Sequence, residues 1–277
     1  MNYDFVSLVT YTLNSQLITQ TTAVIKKNLV LFAALALTVI VNAQVKKPTA
    51  AAKANPHLKV FNLAIASGDG TAAATALNYY LSEPGSNSAY ADTLAMLYMQ
   101  QGAFPQCYYW ANKRLEANPG NNTLLELKGI CLDKLQQPKE AIDIFEKLFA
   151  KTKSPYHAYK LMELQYGIKR LAECLATAET AEKLAFKPEY IMTYNVGQQT
   201  GRTFLQAGVY NIHALALYDL DKKPEAKIYF EKALALDSTF ALAKQNLDAM
   251  KSIETGGGKN MQPVNNQAPA SPANKQN

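Results

Sequence analysis

Three groups of side chains in this sequence have the right types for chemistry. They are His157 and His213, the cysteines Cys107, Cys131 and Cys174, and the carboxylates Asp219 and Asp221. A histidine held against a carboxylate can move protons, and a cysteine thiolate can attack an electrophile or bind a metal. None of the spacings completes such a site. His213 stands on an apolar stretch beside Ala214 and Leu217, where a packed ring is the simpler reading. His157 falls on a face that would line an inner surface, with no partner of its kind. Asp219 and Asp221 flank an expected turn and read as solvated helix-end residues. The cysteines show no CxxC pair and no metal-like spacing. Isolated cysteines on apolar helix faces read as small buried hydrophobes; a disulfide between two of them is the alternative, with its connectivity open. There is no HExxH, no GxSxG and no phosphate-cradling glycine loop, and the GDG at 68–70 reads as a turn between helices. The expectation is a chain with no catalytic residue, no metal and no cofactor. What remains is stacking: "CYYW" at 107–110 and the 16 tyrosines could meet sugars or peptides, although tyrosine is also a common filler between packed helices.

The elements that would hold these residues keep a fixed ruler. Ala95 precedes Cys107 by 12 and Ala111 follows by 4; Gly129, Ala141 and Phe145 repeat those distances, and so do Ala214, Ala226 and Phe230. Ala95 to Gly129 is 34 residues, as is Cys107 to Ala141. A single core helix has no reason to keep such intervals, so the unit is repeated. Pro105, Pro138 and Pro224 each stand where a second helix would begin, a position at which the missing N–H is not needed. Gly102, "LQQP" and "LDKKP" supply turns.

The period and residue order resemble the tetratricopeptide repeat, best in "LLELKGICLDKLQQPKEAIDIFEKLFA" and "YNIHALALYDLDKKPEAKIYFEKALALDS". The resemblance covers about residues 57–252. It implies an all-α fold, a right-handed superhelical α-solenoid of helix pairs, in which small residues at Ala95, Cys107, Gly129, Ala141, Ala214, Ala226 and Ala233 allow close approach. Phe145 and Phe230 would fill the space toward the next unit. Residues 57–84 form a degenerate first copy, with Phe61 where a small residue is expected. Residues 156–187 read as another weak copy, Ala158 to Tyr166 and Leu171 to Ala185. "FALAKQNLDAMKSI", about 239–252, reads as a capping helix.

The ruler also exposes an insertion. Gly129 to Ala214 spans 85 residues, 17 more than two repeats of 34. The excess falls at 189–206, where Tyr190, Ile191, Tyr194, Thr203 and Phe204 surround a Gly197–Gly201 centre and read as a β-hairpin.

The ends have a different character. "KKNLVLFAALALTVIVNAQ" from Lys26 joins a basic pair to a 13-residue apolar run and small residues, the pattern of a signal peptide cleaved between Ala43 and Gln44. Residues 1–43 are then an N-terminal extension plus signal peptide, with the true start near Ile25 or Lys26, and 44–56 a linker. No cysteine follows the apolar run to take a lipid. Residues 253–277 are rich in Gly, Pro, Asn and Gln and read as a disordered tail. Net charge is +6, yet His57 to Ser252 holds 21 Lys and Arg against 20 Asp and Glu, so no basic stripe for nucleic acid is expected.

The resemblance implies a concave face lined by first helices, which in this family commonly takes an extended peptide or a partner's helix. It would be lined by Asp92, Met96, Met99 and Gln100, then Thr123, Glu126, Ile130, Asp133 and Lys134, and last Asn211, Leu215 and Tyr218. The expected function is a non-enzymatic scaffold of a Gram-negative cell envelope, exported to the periplasm or released. It would hold an unidentified envelope protein or peptide, with no nucleic acid and no membrane span after cleavage. Two rivals are a glycan-binding helical-repeat protein and a subunit of an outer-membrane assembly complex.

Overall fold

Left-handed residues set the rhythm of the backbone. In the computed structural model, which describes residues 55–254, Gly68, Gly102, Gln136, Lys169 and Asp221 have φ of 75°, 69°, 61°, 61° and 59°. Each stands two residues beyond the end of one helix and two before the start of the next. After four of the five, the following N–H turns back onto the helix just ended: Asp69 to Ala64 O at 2.8 Å, Ala103 to Tyr98 O at 2.9 Å, Arg170 to Gln165 O at 2.8 Å and Lys222 to Leu217 O at 2.9 Å. This is the Schellman closure, which satisfies carbonyls that the helix leaves unpaired and needs one residue with positive φ. The five positions are separated by 34, 34, 33 and 52 residues, so the last interval holds 18 more than a repeat.

The chain falls into two compact units, up to Gln136 and from Gln137. The first holds α1 (Pro56–Ala66), α2 (Gly70–Ser82), α3 (Tyr90–Gln100), α4 (Phe104–Ala117) and α5 (Asn122–Lys134). Starts are marked as the chemistry requires. Asn55 accepts from the His57 and Leu58 amides, Asp69 from Ala72 N at 2.9 Å, and Asn121 from Thr123 N at 3.0 Å. Pro56 and Pro105 sit in the first turn of α1 and α4. One core cluster joins Ala73, Leu77 and Leu94 across α2 and α3, with Phe61 and Tyr90 packed against it. A second joins Ala95 and Met99 of α3, Cys107, Ala111 and Leu115 of α4, and Leu124, Leu127 and Cys131 of α5.

The second unit holds α6 (Pro138–Thr152), α7 (Pro155–Gly167), α8 (Leu171–Ala181), β1 (Ile191–Val196), β2 (Gln199–Phe204), α9 (Leu205–Asp219), α10 (Lys223–Leu236) and α11 (Ala241–Glu254). Helix α8 stops at Ala181, four residues before the end expected from sequence. There the Lys183 and Leu184 amides fold back on Thr180 and Ala181. Ala214, Ala226, Phe230 and Ala233 are wholly buried where α9 and α10 pack, and Ala141 and Phe145 of α6 are equally hidden. A buried phenylalanine contributes about 1.5–3 kcal/mol over an exposed one, while alanine at the crossing lets the backbones approach.

The hairpin expected at 189–206 is present. Strands β1 and β2 pair antiparallel from Ile191 with Phe204 to Val196 with Gln199, around a tight turn in which Gly197 has φ 59°. Its inner face carries Met192, Tyr194 and Thr203, all buried. A Cβ on Gly201 would lie 2.4 Å from the Tyr194 ring, and one on Gly208 of α9 would lie 2.0 Å from Met192 Sδ. A side chain at either glycine would have to displace its neighbour, a buried ring at Gly201 and the end of a methionine at Gly208. Tyr194 reaches the α10–α11 loop: its hydroxyl donates to Thr239 O (3.5 Å) and accepts from Ala241 N (3.1 Å), and its ring meets Phe240 at 4.8 Å. Helix α11 occupies the place of the expected capping helix, burying Leu242, Ala243, Leu247 and Met250 and turning Lys244, Gln245 and Asp248 outward. The N-terminal extension, the apolar run, most of the linker and nearly all of the tail lie outside the described residues.

Candidate partner-binding faces

In the first unit the first helices α3 and α5 lie side by side. Along them Asp92, Met96 and Gln100, then Thr123, Ile130, Asp133 and Lys134, remain partly or fully exposed. Met96 and Ile130 rest on the core cluster beneath. The strip is thus an apolar seam with polar ends. Two of the expected lining residues are missing from it. Met99 is 4% exposed and belongs to the core between α3, α4 and α5. Glu126 is 8% exposed, which leaves it too little surface to meet a ligand.

The charges on this strip are already engaged. Arg114 of α4 grips the Asp92 carboxylate through Nε and, at 3.5 Å, through Nη2, and donates to Ser88 Oγ at 3.2 Å. Asp92 therefore ties α3 to α4 and offers no uncompensated charge to a cationic partner. Asp133 lies 3.4 Å from its neighbour Lys134. The Arg114–Asp92 pair spans 22 residues, and only the helix-pair geometry joins them.

In the second unit the expected face is largely closed. Asn211 is 3% and Leu215 0% exposed. Asn211 Oδ1 accepts from Asn246 Nδ2 of α11 at 3.1 Å, so the last helix lies over the residue that an isolated α9 would present. Tyr218 alone of the three keeps part of its surface.

The two histidines are interior. His157 is 6% exposed, with Nδ1 2.7 Å from Thr152 Oγ1 and its ring against Phe145 and Tyr156, so it lines no inner surface. His213 Nδ1 lies 2.5 Å from Glu182 Oε1, and its ring stacks on Tyr229 at 3.8 Å. Tyr229 O–H donates to the other Glu182 oxygen at 3.4 Å, and Lys232 Nζ lies 4.0 Å over the Tyr229 ring. Burial lowers the His213 pKa below its ordinary value, opposed by the Glu182 hydrogen bond and charge. The arrangement joins the end of α8 to α9 and α10. Among the described residues, no three His, Cys, Asp or Glu side chains are grouped to hold a metal ion.

One surface lies outside the expected face and takes in the tyrosines of the CYYW stretch. On α4, Tyr108, Tyr109, Asn112, Lys113 and Glu116 line a shallow depression of about 320 Å³. Tyr109 is 55% exposed, and Lys113 Nζ hangs over the Tyr109 and Trp110 rings at 5.8 and 5.2 Å. Lys128 of α5 bonds Asn112 at 2.6 Å and sits over Tyr108 at 5.6 Å. The sequence signal was there in the i, i+4 spacing of 108, 112 and 116 and of 109 and 113.

No helix among the described residues is long and apolar enough to cross a membrane. Comparison with known proteins adds one matched repeat and a fold. The tetratricopeptide repeat model matches residues 207–240. None of the curated proteins matches the chain. Solved structures share the fold: a crystal structure of MamA protein has 18% identity and a TM-score of 0.54 over 67% of this chain and 92% of that one. YrrB, described as a tetratricopeptide-repeat protein with an unusual peptide-binding site, has 15% identity and a TM-score of 0.53 over 68% and 89%. MamA residues 41-end from Desulfovibrio magneticus RS-1 has 14% identity and a TM-score of 0.53 over 66% and 94%. With left-handed helix turns at intervals of 34, 34 and 33 residues and then 52, and one matched repeat across α9 and α10, this chain has the fold of tetratricopeptide-repeat proteins.

Proposed function

We propose that the chain is a non-enzymatic scaffold that binds a peptide or protein partner along its first helices, exported to the envelope of a Gram-negative bacterium. The observation that carries the reading is the strip on α3 and α5. Met96 and Ile130 stay partly exposed over a packed core, flanked by Gln100, Thr123 and Lys134. A rigid, half-apolar face of this kind favours an extended or helical segment, because little ordering entropy is lost by the receptor. The peptide-binding site named for YrrB supports a similar use of the fold here. Asp92 contributes through Arg114, as a brace rather than a contact.

The test compares two baits spanning residues 44–277 in capture from an envelope lysate, the natural sequence and a variant with Met96→Ala, Ile130→Ala and Lys134→Glu. A discrete protein held by the first and lost by the second, with equal thermal midpoints, supports the strip. Equal capture by both overturns it. N-terminal sequencing of the cellular protein tests export, and a mature start at Gln44 is the expected result.

A second reading is favoured by the α4 depression. The exposed Tyr109 beside an amide, an ammonium and a carboxylate suits a saccharide, whose C–H face stacks on a ring while its hydroxyls find polar partners. A melting shift with soluble oligosaccharide, abolished by Tyr109→Ala, would favour this site over the strip.

A further inference from the structure

We propose that Cys107 and Cys131 are a disulfide-forming pair that staples α4 to α5 when the chain folds in an oxidising solution. Helices α4 and α5 run back on each other through the turn at 118–121, where the Asn121 N–H meets Asn118 O at 3.2 Å. Cys107 lies 12 residues before Pro119 and Cys131 lies 12 after it, so a helical hairpin centred there puts the two opposite one another. The packing agrees: both residues are 0% exposed in one core cluster, with Ala111 and Leu127 in the next layer toward the turn. The Cys131 thiol, ahead of burial, pushes the Cys107 pKa up. Small side chains at a helix crossing let the backbones approach, which is the condition for the short Cα separation of a disulfide.

Cys174 provides the contrast. It is buried too, but its Sγ donates to the Met162 carbonyl at 3.5 Å, and burial pushes its pKa up to about 12. The shared core cluster thus favours Cys107 with Cys131 among the pairings that the sequence leaves open.

The bond forms by thiol–disulfide exchange with an oxidised dithiol or glutathione disulfide. One cysteine thiolate attacks a sulfur of the oxidant and releases its first thiolate. The second cysteine then attacks the mixed disulfide and releases the other. The protein loses two protons and two electrons, and the oxidant gains them as two thiols. Because both sulfurs are closed to solvent in the native fold, exchange takes place during folding or local opening. The inference stands apart from the proposed function, and failure of either leaves the other intact.

The experiment refolds the full chain from guanidinium in glutathione buffer, fully oxidising in one arm and reducing in the other. The product is acid-quenched, alkylated and read by intact mass and peptide mapping. The expected product of the oxidising arm is two hydrogens lighter, with Cys107 joined to Cys131 and Cys174 alkylated. Its thermal midpoint is higher by about 5–10 °C, a gain that reductant removes. Alkylation of both Cys107 and Cys131 in the oxidising arm would overturn the proposal, leaving a packed thiol pair. Comparable yields of all three pairings would overturn it as well. Should the chain aggregate on refolding, the same readout is made on natively purified protein and on its Cys174→Ser variant, each held with glutathione disulfide in sub-denaturing urea.

Discussion

The first and last described helices are built on opposite plans. Helix α11 buries Leu242, Ala243, Leu247 and Met250 and shows Lys244, Gln245 and Asp248 to water. Helix α1 buries only Ala64, leaving Val60, Leu63 and Ile65 at 50%, 72% and 48% exposure. A terminal repeat has a neighbour on one side alone, so its outer face must be polar to end a stack. Helix α11 meets that condition and is further fastened by Asn246 to Asn211 and by the Tyr194 hydroxyl to Ala241 N. Helix α1 does not meet it. The difference teaches that capping here is a matter of which residues cross to a second element, not of where a helix stands in the chain.

The comparison can be broken or sharpened by substitution. The largest effect is expected at the fastened end. Phe240→Ala removes a wholly buried ring under Tyr194 and should cost about 3–5 kcal/mol in chemical denaturation; a loss below about 1 kcal/mol would show that the α10–α11 loop is not packed as described. Gly201→Val drives a side chain into the Tyr194 ring and should cost about 1–3 kcal/mol, with Tyr194→Ala in the same chain relieving part of the loss. A third test uses pH. Burial holds the His213 pKa below its unfolded value, so the unfolded chain binds more protons between the two values. Stability should then fall as pH drops below about 6.5, by at most about 1.4 kcal/mol per pH unit from this group. Urea titrations of His213→Gln should lose that part of the slope. Asp221→Gly, at φ 59° and 85% exposed in its side chain, should raise stability by about 0.5–1 kcal/mol, since glycine takes the left-handed turn without strain. Smallest of all, Leu63→Lys at the unfastened end should stay within about 0.5 kcal/mol of the natural chain; a large loss would mean that this face is covered.

The repeat was legible because its ruler is local. Small residues, prolines and turn residues each act on their own few neighbours, so Gly102, Pro138 and Phe230 announce themselves in order. The hairpin was legible as an excess over that ruler, with β-branched and aromatic residues to name it. The binding face was only half legible. Projecting α3, α5 and α9 as isolated helices assigns a face by angle, and angle does not say what lies above it. Met99 sits at the edge of its strip and turns into the core, while Asn211 is covered by a helix more than thirty residues further on. His157 failed for the same reason, its ring being taken up by Phe145, Tyr156 and Thr152. The bracing of Asp92 by Arg114 is a contact between helices of one pair, which no spacing along a single helix encodes.

The hairpin has a property that its contacts alone do not convey. The Leu205 N–H meets Tyr190 O at 2.7 Å, so the two ends of the inserted segment nearly coincide. A detour that returns to its point of departure adds length without displacing α9 and its successors, and its closure costs little more entropy than a shorter loop would. Those helices need no adjustment to its size. Such a place in a chain is open to exchange: the tip beyond Asn195 and Thr200 can be lengthened, shortened or rewritten, provided that Met192 and Tyr194 keep their seats.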